Sequence, residues 1–472
     1  MLVRFAWCLV LLCFAACERG QHIGAPHPLT ASAQAATTCK GDAPLPASLP
    51  RLKNARASWV PDPKDGSLLY VLEAGPSTSE EPPLLIFHGI GPVGIEDFFP
   101  ALAGLSYRRR IIALDLPGFG RSSYHSEDLG PDRMLAAMGA VIHACGLERV
   151  DVLGHSSGAL LALLFASKRP EQVRRLVLAA PIGILRPEVL LHAQLAAQLE
   201  DIREDTPRIG HAIQSVGDFI VHMLRLATPS SAALADSGLI GRSPSVLLAT
   251  ALLDYNFGLA IEREHRPTLI LEGKLDKVVP PRIGKLLSER IDTARLEYLP
   301  DAGHVMMRDQ PAEFVASVDG FFTRPWSKPE RPGKPAARGT EVICRDRSYM
   351  VIRGSFDSVL LENCHHAWLD HVTAGQVIIR NSEARLDAAK VSAGVIVEHS
   401  EVMLTAGEIK GQIALDLSDS KADVAGSTLK GSDAAILART KSRVVLSVSP
   451  VSSPLSDCIM HHSLLLEPGD KR

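Results

Sequence analysis

Short apolar runs that alternate with helix-like segments fill most of the first two thirds of the chain. Six strand-like segments, most of them apolar, occupy residues 83–87, 110–114, 150–153, 173–180, 267–271 and 295–299. Runs of this length are typical of strands buried on both faces, and the intervening segments are long enough for helices. The alternation predicts an α/β domain built on a largely parallel sheet.

The pattern changes after residue 340, where the chain becomes a series of β-branched runs separated by polar turns. These runs start at a constant spacing of 18 residues, at Val359, Val377, Val395 and Ile413. A fixed short period with one strand per repeat predicts a solenoid whose coils stack on one another. Polar side chains interrupt a strict six-residue pattern, so we expect an irregular right-handed parallel β-helix over residues 340–460. The proline-broken stretch 324–339 reads as a linker.

The N-terminus has the features of a bacterial export signal. Residues 1–16 combine one early positive charge with an apolar core that is too short to span a bilayer. The sequence Phe14-Ala15-Ala16-Cys17 resembles the bacterial lipobox, with Phe14 in place of the usual leucine. We therefore expect Cys17 to be lipidated and the protein to be a membrane-anchored lipoprotein of the cell envelope, in the periplasm or at the outer membrane. Residues 17–50 read as a flexible spacer.

Five of the eight cysteines remain after the leader, and an oxidising envelope would permit disulfides. We expect Cys145, inside an apolar helix-like segment, to be buried and free, and Cys344 to pair with Cys458. No Cys/His spacing is typical of zinc, so we expect no metal and no cofactor. Three nearby histidines, His365, His366 and His371, read as surface residues. A net charge of −3 without a basic run gives no electrostatic case for nucleic-acid binding.

The chemistry centres on Gly154-His155-Ser156-Ser157-Gly158, which joins an apolar strand to an apolar helix-like run. This G-x-S-x-G spacing is typical of a strand-turn-helix elbow around a nucleophilic serine. With the turn His88-Gly89-Ile90-Gly91 after the first apolar run, it makes the chain resemble the α/β-hydrolase superfamily. The resemblance implies that fold over residues 51–323, with a helical cap at about 183–262. It also implies an oxyanion hole formed by the N–H groups of Ile90 and Ser157, with His88 as a structural residue beneath the turn.

The same resemblance identifies the partners of Ser156. The family order along the chain is serine, acid, histidine. Asp276 stands three residues after a glycine that follows a strand, and His304 lies in a glycine turn after the last strand. Glu272 competes for the acid position, but it lies before that glycine. Asp115 precedes the serine and is expected to orient its own loop. The resemblance thus implies a Ser156, His304 and Asp276 triad that forms an acyl-enzyme.

These residues favour an enzyme that hydrolyses carboxylic esters, and the apolar cap favours a small-molecule or lipid-like substrate with an apolar portion. The triad alone does not separate esterases from carbon–carbon bond hydrolases. A carbohydrate (acyl) esterase is a further alternative, because the β-helix could bind a polysaccharide; it could equally bind a protein. A non-enzymatic alternative is a structural or binding lipoprotein with an inactive hydrolase domain, against which the intact triad argues.

Overall fold

The computed structural model describes residues 39, 42–91, 93–125, 128–182, 184–185, 244–253, 255–329, 338–453, 456–460 and 464–466. Cys17, most of the predicted cap and half of the predicted linker lie outside the described residues. Buried apolar side chains form two clusters, one in the region up to Phe322 and one in the C-terminal region. The first cluster also takes in Ala425 and Val448 from the C-terminal region.

An eight-stranded sheet organises the first region. Its strands are β1 (Arg56–Pro61), β2 (Leu68–Ala74), β3 (Leu84–Phe87), β4 (Ile111–Leu114), β5 (Val150–His155), β6 (Val173–Ala179), β7 (Thr268–Gly273) and β8 (Ala294–Leu299). The order is β1-β2-β4-β3-β5-β6-β7-β8; β2 is antiparallel to both of its neighbours, and the strands from β4 onward are parallel. The six predicted runs correspond to β3–β8. The antiparallel pair β1–β2 at the sheet edge was not predicted.

Helices pack against this sheet. Among the described residues they are α1 (Phe99–Leu105), α2 (Pro131–Ala144), α3 (Ser157–Lys168), α4 (Pro244–Leu253), α5 (Gly258–Glu262), α6 (Arg282–Arg290), α7 (Met306–Asp309) and α8 (Pro311–Thr323), with a 3₁₀ turn at Gly94–Phe98. Helix α3 is buried from Ser157 to Ala166, which explains its almost wholly apolar sequence. Within the part of the chain that the structure describes, no helix is long and apolar enough to cross a membrane.

The end of the predicted spacer is attached to the first region. Cys39 forms a disulfide with Cys145, and the Tyr70 hydroxyl donates a hydrogen bond of 2.9 Å to the Pro44 carbonyl. Ala43 also forms a bridge with Ala57 in β1. The prediction that Cys145 is free is therefore wrong, and the residues before 51 are not all spacer. A buried cysteine in an apolar segment resembles a packing residue when its partner comes from 106 positions earlier.

The C-terminal region is all-β and built mainly from parallel strands. They are β9 (Arg338–Arg345), β10 (Val351–Ile352), β11 (Ser355–Glu362), β12 (Ala367–Asp370), β13 (Thr373–Arg380), β14 (Glu383–Asp387), β15 (Lys390–Val391), β16 (Val395–Glu398), β17 (Glu401–Thr405), β18 (Glu408–Ser418), β19 (Lys421–Ala425), β20 (Thr428–Arg439), β21 (Arg443–Ser447), β22 (Val451–Ser453), β23 (Ser456–Met460) and β24 (Leu464–Leu466). The chain alternates between two sheets. A seven-stranded sheet has the order β10-β12-β14-β17-β19-β21-β24, and a nine-stranded sheet runs from β23 to β9, with β16 pairing β13 and β18.

The predicted disulfide in this region is wrong. Cys344 pairs with Cys364, 20 residues later, and not with Cys458. Strands β9 and β23, which carry Cys344 and Cys458, lie at opposite edges of the nine-stranded sheet. In a stack of parallel strands, each residue lies close to its counterpart one repeat later. Cysteines about one repeat apart are therefore better candidates for a disulfide than cysteines near the two ends of the region.

The 18-residue spacing holds for part of the region only. Val359 pairs with Val377 and Val377 with Val395, but Val395 pairs with Leu415, 20 residues on, and not with Ile413. Two extra residues enter β18, because Lys390 still pairs with Glu408 at the 18-residue spacing. A shift of two residues keeps the same side chains on the inner face, so the hydrophobic pattern fits either register.

A ladder of hydroxyl groups marks one corner of the region. Each step is a backbone N–H that donates to the serine Oγ one repeat later: Cys364 to Ser382 at 2.8 Å, Ser382 to Ser400 at 2.9 Å, Ser400 to Ser420 at 3.1 Å and Ser420 to Ser442 at 3.2 Å. The preceding residues Asn363, Asn381, His399 and Asp419 have positive φ. The ladder satisfies buried N–H groups at a sharp turn, where strand pairing cannot do so.

Candidate active site

Ser156 lies on a strained turn between β5 and α3. Its φ of 54° and ψ of −121° are unusual for a residue with a side chain. A Cβ on Gly154 would lie 2.6 Å from the Ala159 Cα, and one on Gly158 would lie 2.6 Å from the Phe87 carbonyl oxygen. Only glycine fits at these two positions, so the backbone of the turn holds the serine in place.

Ser156 begins a hydrogen-bonded chain of three side chains. Its Oγ is 3.0 Å from His304 Nε2, and His304 Nδ1 is 2.9 Å from Asp276 Oδ2. Because Nδ1–H donates to the carboxylate, Nε2 is left to accept the serine proton. The other carboxylate oxygen of Asp276 accepts the N–H groups of Val278 and Val279 at 2.7 and 2.9 Å, which fixes the orientation of the carboxylate.

His155 supports this arrangement from the side, a contact that sequence reasoning missed. Its Nε2–H donates to the main-chain carbonyl of His304 at 2.8 Å, and the two imidazole rings are 4.9 Å apart. Burial, with a smaller contribution from the charge of His304, lowers the pKa of His155 to about 3. His155 is therefore neutral near pH 7 and adds no positive charge beside His304. In the motif its position is variable, so the sequence carries no signal for this contact.

His88 and Asp115 order the loops around the serine, in the positions that the sequence suggested for them. His88 is fully buried, donates from Nδ1 to the Gly89 carbonyl at 2.6 Å and accepts the Leu116 N–H at Nε2. Burial lowers the pKa of His88, which favours the neutral ring that both contacts require. Asp115 accepts N–H groups from two neighbouring loops at 2.8 and 2.9 Å.

Glu272, the alternative acid, does not contact the imidazole. It lies at the end of β7, is 1% exposed, and its Oε1 has no hydrogen-bond partner. Burial and, to a smaller extent, the negative charge of Asp276 raise the pKa of Glu272 well above its usual value. The protonated form of Glu272, which these surroundings favour, cannot balance an imidazolium charge. The geometry favours Asp276 as the partner of His304.

The two predicted oxyanion donors flank the serine. Ser157 is the first residue of α3, and Ile90 lies in the turn after β3. That turn approaches the serine closely, because a Cβ on Gly89 would lie 2.8 Å from the Ser156 Cβ. The N-terminus of α3 adds a partial positive charge at the same place. Among the residues with described positions, no group of three or more His, Cys, Asp or Glu side chains could hold a metal ion.

Comparisons with known proteins show similarity to hydrolases over about half of the chain. Residues 84–317 match the model described as "Alpha/beta hydrolase family". The chain is 26% identical over 254 residues to the 2-hydroxy-6-oxo-2,4-heptadienoate hydrolase of Pseudomonas putida, a match that covers 51% of this chain and 88% of that protein. It is 28% identical over 253 residues to the 2-hydroxymuconate semialdehyde hydrolase of Pseudomonas putida, covering 51% and 86%. A solved hydrolase from Pseudomonas aeruginosa PA01 covers 57% of this chain and 98% of its own at 25% identity, with a TM-score of 0.44.

Proposed function

We propose that the chain, an enzyme of the hydrolase type whose residues 84–317 match the α/β-hydrolase family model, cleaves carboxylic esters through a serine acyl-enzyme. The observation that carries the proposal is the chain of hydrogen bonds from Ser156 Oγ to His304 Nε2 and from His304 Nδ1 to Asp276 Oδ2. Nucleophile, base and orienting acid are each within hydrogen-bond distance of the next, as this chemistry requires.

In the first half of the reaction, His304 Nε2 takes the Ser156 hydroxyl proton while Oγ attacks the carbonyl carbon of the ester. The negative charge that develops on the carbonyl oxygen is stabilised by the N–H groups of Ile90 and Ser157, which are already oriented before the attack. Asp276 keeps the imidazole in the correct tautomer and balances its positive charge. His304 then donates the proton to the departing alcohol, which leaves Ser156 acylated.

In the second half, water replaces the alcohol. His304 takes a proton from the water, the resulting hydroxide attacks the acyl carbonyl, and the same two N–H groups stabilise the second oxyanion. The proton returns to Ser156 Oγ as the acid departs, so the enzyme ends in its starting protonation state. His155 stays neutral throughout, so the adjacent ring does not oppose the formation of the His304 imidazolium.

The direct test is to replace Ser156 and measure both labelling and turnover. A fluorophosphonate probe should label the native chain at Ser156, and Ser156→Ala should abolish labelling and lower kcat on p-nitrophenyl esters by about 10⁶-fold. A series of acyl chain lengths reports whether the substrate has an apolar portion. Wild-type turnover in Ser156→Ala would overturn the proposal.

A second candidate reaction, carbon–carbon bond hydrolysis, is favoured by the names of the relatives. A 2-hydroxy-6-oxo-2,4-heptadienoate contains no ester, so its hydrolysis must break a bond between two carbons. The same serine, histidine and oxyanion donors could act on its 6-oxo group. Measuring kcat/KM for this compound beside p-nitrophenyl esters decides between the two reactions: a ratio above about 100 in favour of the dienoate would replace the ester proposal.

We also propose that the enzyme acts in the bacterial cell envelope, tethered by lipid on Cys17. The support is the leader of residues 1–16 and its lipobox-like end. Cys17→Ser should move the protein from the membrane to the soluble fraction, and the native protein should carry the mass of its acyl chains. Membrane association that survives Cys17→Ser, in a native protein without acyl mass, would contradict the proposal.

For the C-terminal region we propose a right-handed parallel β-helix. The support is that the chain alternates between two sheets for most of its strands, and that the parallel pairs between β9 and β22 join residues 17 to 22 positions apart, as in Val342–Val359 and Lys421–Arg443. Its crystal structure should show coils that rise by about 4.8 Å each. Two sheets that are not joined into one coil by their corners would contradict this. Such a surface could bind a polysaccharide or a protein in the envelope.

A further inference from the structure

Helix α6 directly follows the loop that carries Asp276. Arg282, its first residue, comes six positions after Asp276. The Ile283 N–H donates to the Pro280 carbonyl at 2.9 Å, and a Cβ on Gly284 would lie 2.5 Å from Glu272 Oε1. The helix thus continues from one end of this loop and contacts Glu272, which lies just before the other end, so a displacement of α6 would be transmitted to the backbone that presents Asp276.

The opposite face of α6 is held by the C-terminal region, mainly through Arg282. The Arg282 side chain is only 7% exposed and lies against the neighbouring strands β17 and β19. Its Nε donates to Thr405 Oγ1 at 2.8 Å, its Nη2 donates to the Leu404 carbonyl at 2.7 Å, and its Nη1 pairs with Asp423. All three nitrogens of the guanidinium therefore bind the seven-stranded sheet.

Two further side chains of α6 extend the contact along the same helix face. Lys285 Nζ lies 3.3 Å from Asp370 Oδ1 and 3.1 Å from Asp387 Oδ2, and 4.9 Å from the centre of the Trp368 ring. Glu289 accepts from His371 Nε2 at 3.1 Å. Positions 282, 285 and 289 are spaced by three and four residues, so they form one stripe of the helix.

An apolar contact accompanies these ion pairs on the same helix. Leu286 packs against Gly426, where a Cβ would lie 2.8 Å from the Leu286 Cγ. Ala425 and Val448 belong to the same buried cluster as the first region. The α6 interface is thus partly dry, which strengthens its ion pairs relative to exposed ones.

We propose that the C-terminal region positions the acid of the active site, by holding α6 through Arg282 and thereby holding the loop of Asp276. The proposal rests on the proposed function, because it assigns Asp276 the role of orienting His304. It makes Arg282 a positioning residue. It also gives the β region a part in turnover that a separate spacer or binding module would not have.

The test compares two arginines of α6 in the full-length chain. Arg282→Met should lower kcat by about 10- to 100-fold with KM changed less than about threefold, because a small displacement of Asp276 impairs the chemical step more than binding. Arg290→Met is the matched control. Arg290 also donates to the C-terminal region, to the Gly426 carbonyl at 3.1 Å, but it lies about 12 Å further along the helix from the loop. It should keep kcat within about twofold.

A double substitution tests whether Arg282 acts by positioning Asp276 or by stabilising the protein in general. If Arg282 acts through Asp276, then Arg282→Met should cost less than about threefold when Asp276 is already Asn. The rate of fluorophosphonate labelling allows the same comparison of the two backgrounds, because it reports on folded active sites alone. An equal loss in both backgrounds, or an Arg282→Met kcat within twofold of the native value, would overturn the proposal.

If Arg282→Met does not fold, Asp423→Asn takes its place, because it removes the charge of the partner and keeps an acceptor oxygen; the same outcomes then decide. Ser156→Ala in parallel separates the two proposals. Turnover that survives Ser156→Ala removes the proposed function and the role of Arg282 with it. An inactive Ser156→Ala beside a fully active Arg282→Met removes the role of Arg282 alone.

Discussion

The two ends of the hydrogen-bonded chain are supported in different ways. Ser156 is held by close backbone contacts within its own turn and with the end of β3. The Asp276 loop is followed by a helix whose outer face contacts strands more than 120 residues further along the chain. The serine turn is thus specified by a five-residue motif, whereas the helix after the Asp276 loop is held by residues that are distant in the chain.

Replacing Asp276 itself gives the upper limit for the loss of kcat that displacement of its loop could cause. Asp276→Asn should lower kcat by about 10⁴-fold, because an amide stabilises the wrong imidazole tautomer and carries no charge to balance the imidazolium. Ester hydrolysis and fluorophosphonate labelling measure it. Asp301→Asn, an exposed carboxylate three residues before His304, is the control and should change kcat less than twofold. Loss in the control without loss in Asp276→Asn would mean that the acid is misassigned.

A substitution in the serine turn tests the local backbone contacts that hold Ser156. Gly158→Ala should destabilise the fold by about 4 kcal/mol or more and abolish labelling, because the new Cβ would meet the backbone of residues 87 and 88. Gly320→Ala in α8 is the control. There the new Cβ would be no closer than 3.5 Å to any neighbour, so chemical denaturation should show a gain of about 0.5–1 kcal/mol. A stable, fully labelled Gly158→Ala protein would refute the close-packed turn.

The sequence predicted the locally determined features well. Strands β3 and β4 are buried at every residue, and each appears as an unbroken apolar run. Ser156 follows from the spacing of two glycines, and the structure places Asp276 and His304 within hydrogen-bond distance of each other. Their catalytic roles stay predictions until activity is measured.

The features that the sequence did not predict depend on residues far apart in the chain. Arg282, Lys285 and Glu289 form a charged stripe, which in a sequence looks like a solvent-facing helix surface. Polarity indicates that these side chains need partners, but it does not tell whether the partner is water or a sheet. The bond from His155 to the His304 carbonyl and the pairing of Cys39 with Cys145 likewise depend on the folded arrangement.

Removing a disulfide should weaken the region that contains it without changing a residue of the α6 interface. Replacing both Cys344 and Cys364 by serine should cost about 3 kcal/mol of unfolding free energy, and replacing Cys39 and Cys145 about 5 kcal/mol, because the second pair closes a longer loop. Denaturant unfolding measures both. The Cys344/Cys364 variant should keep kcat within about threefold, since β17 and β19, which bind Arg282, lie several strands from the β10 edge. A large loss of kcat there would mean that the whole β region, and not its contact with α6, governs the acid.

The smallest effect is expected at Glu272, between the acid loop and α6. Glu272→Gln should keep kcat within about threefold, because Glu272 does not contact His304. Folding raises the pKa of Glu272, mainly because the carboxyl group is buried. The folded state therefore keeps a proton that the unfolded state releases above the usual pKa of 4.5. The free energy of unfolding of the native chain should therefore fall relative to Glu272→Gln as the pH rises above 4.5, by up to about 1.4 kcal/mol per pH unit. Below pH 4.5 the difference between the two should not change with pH. A difference that instead grows in favour of the native chain at higher pH would show that the carboxyl is ionised in the fold, and that it carries a second negative charge beside Asp276.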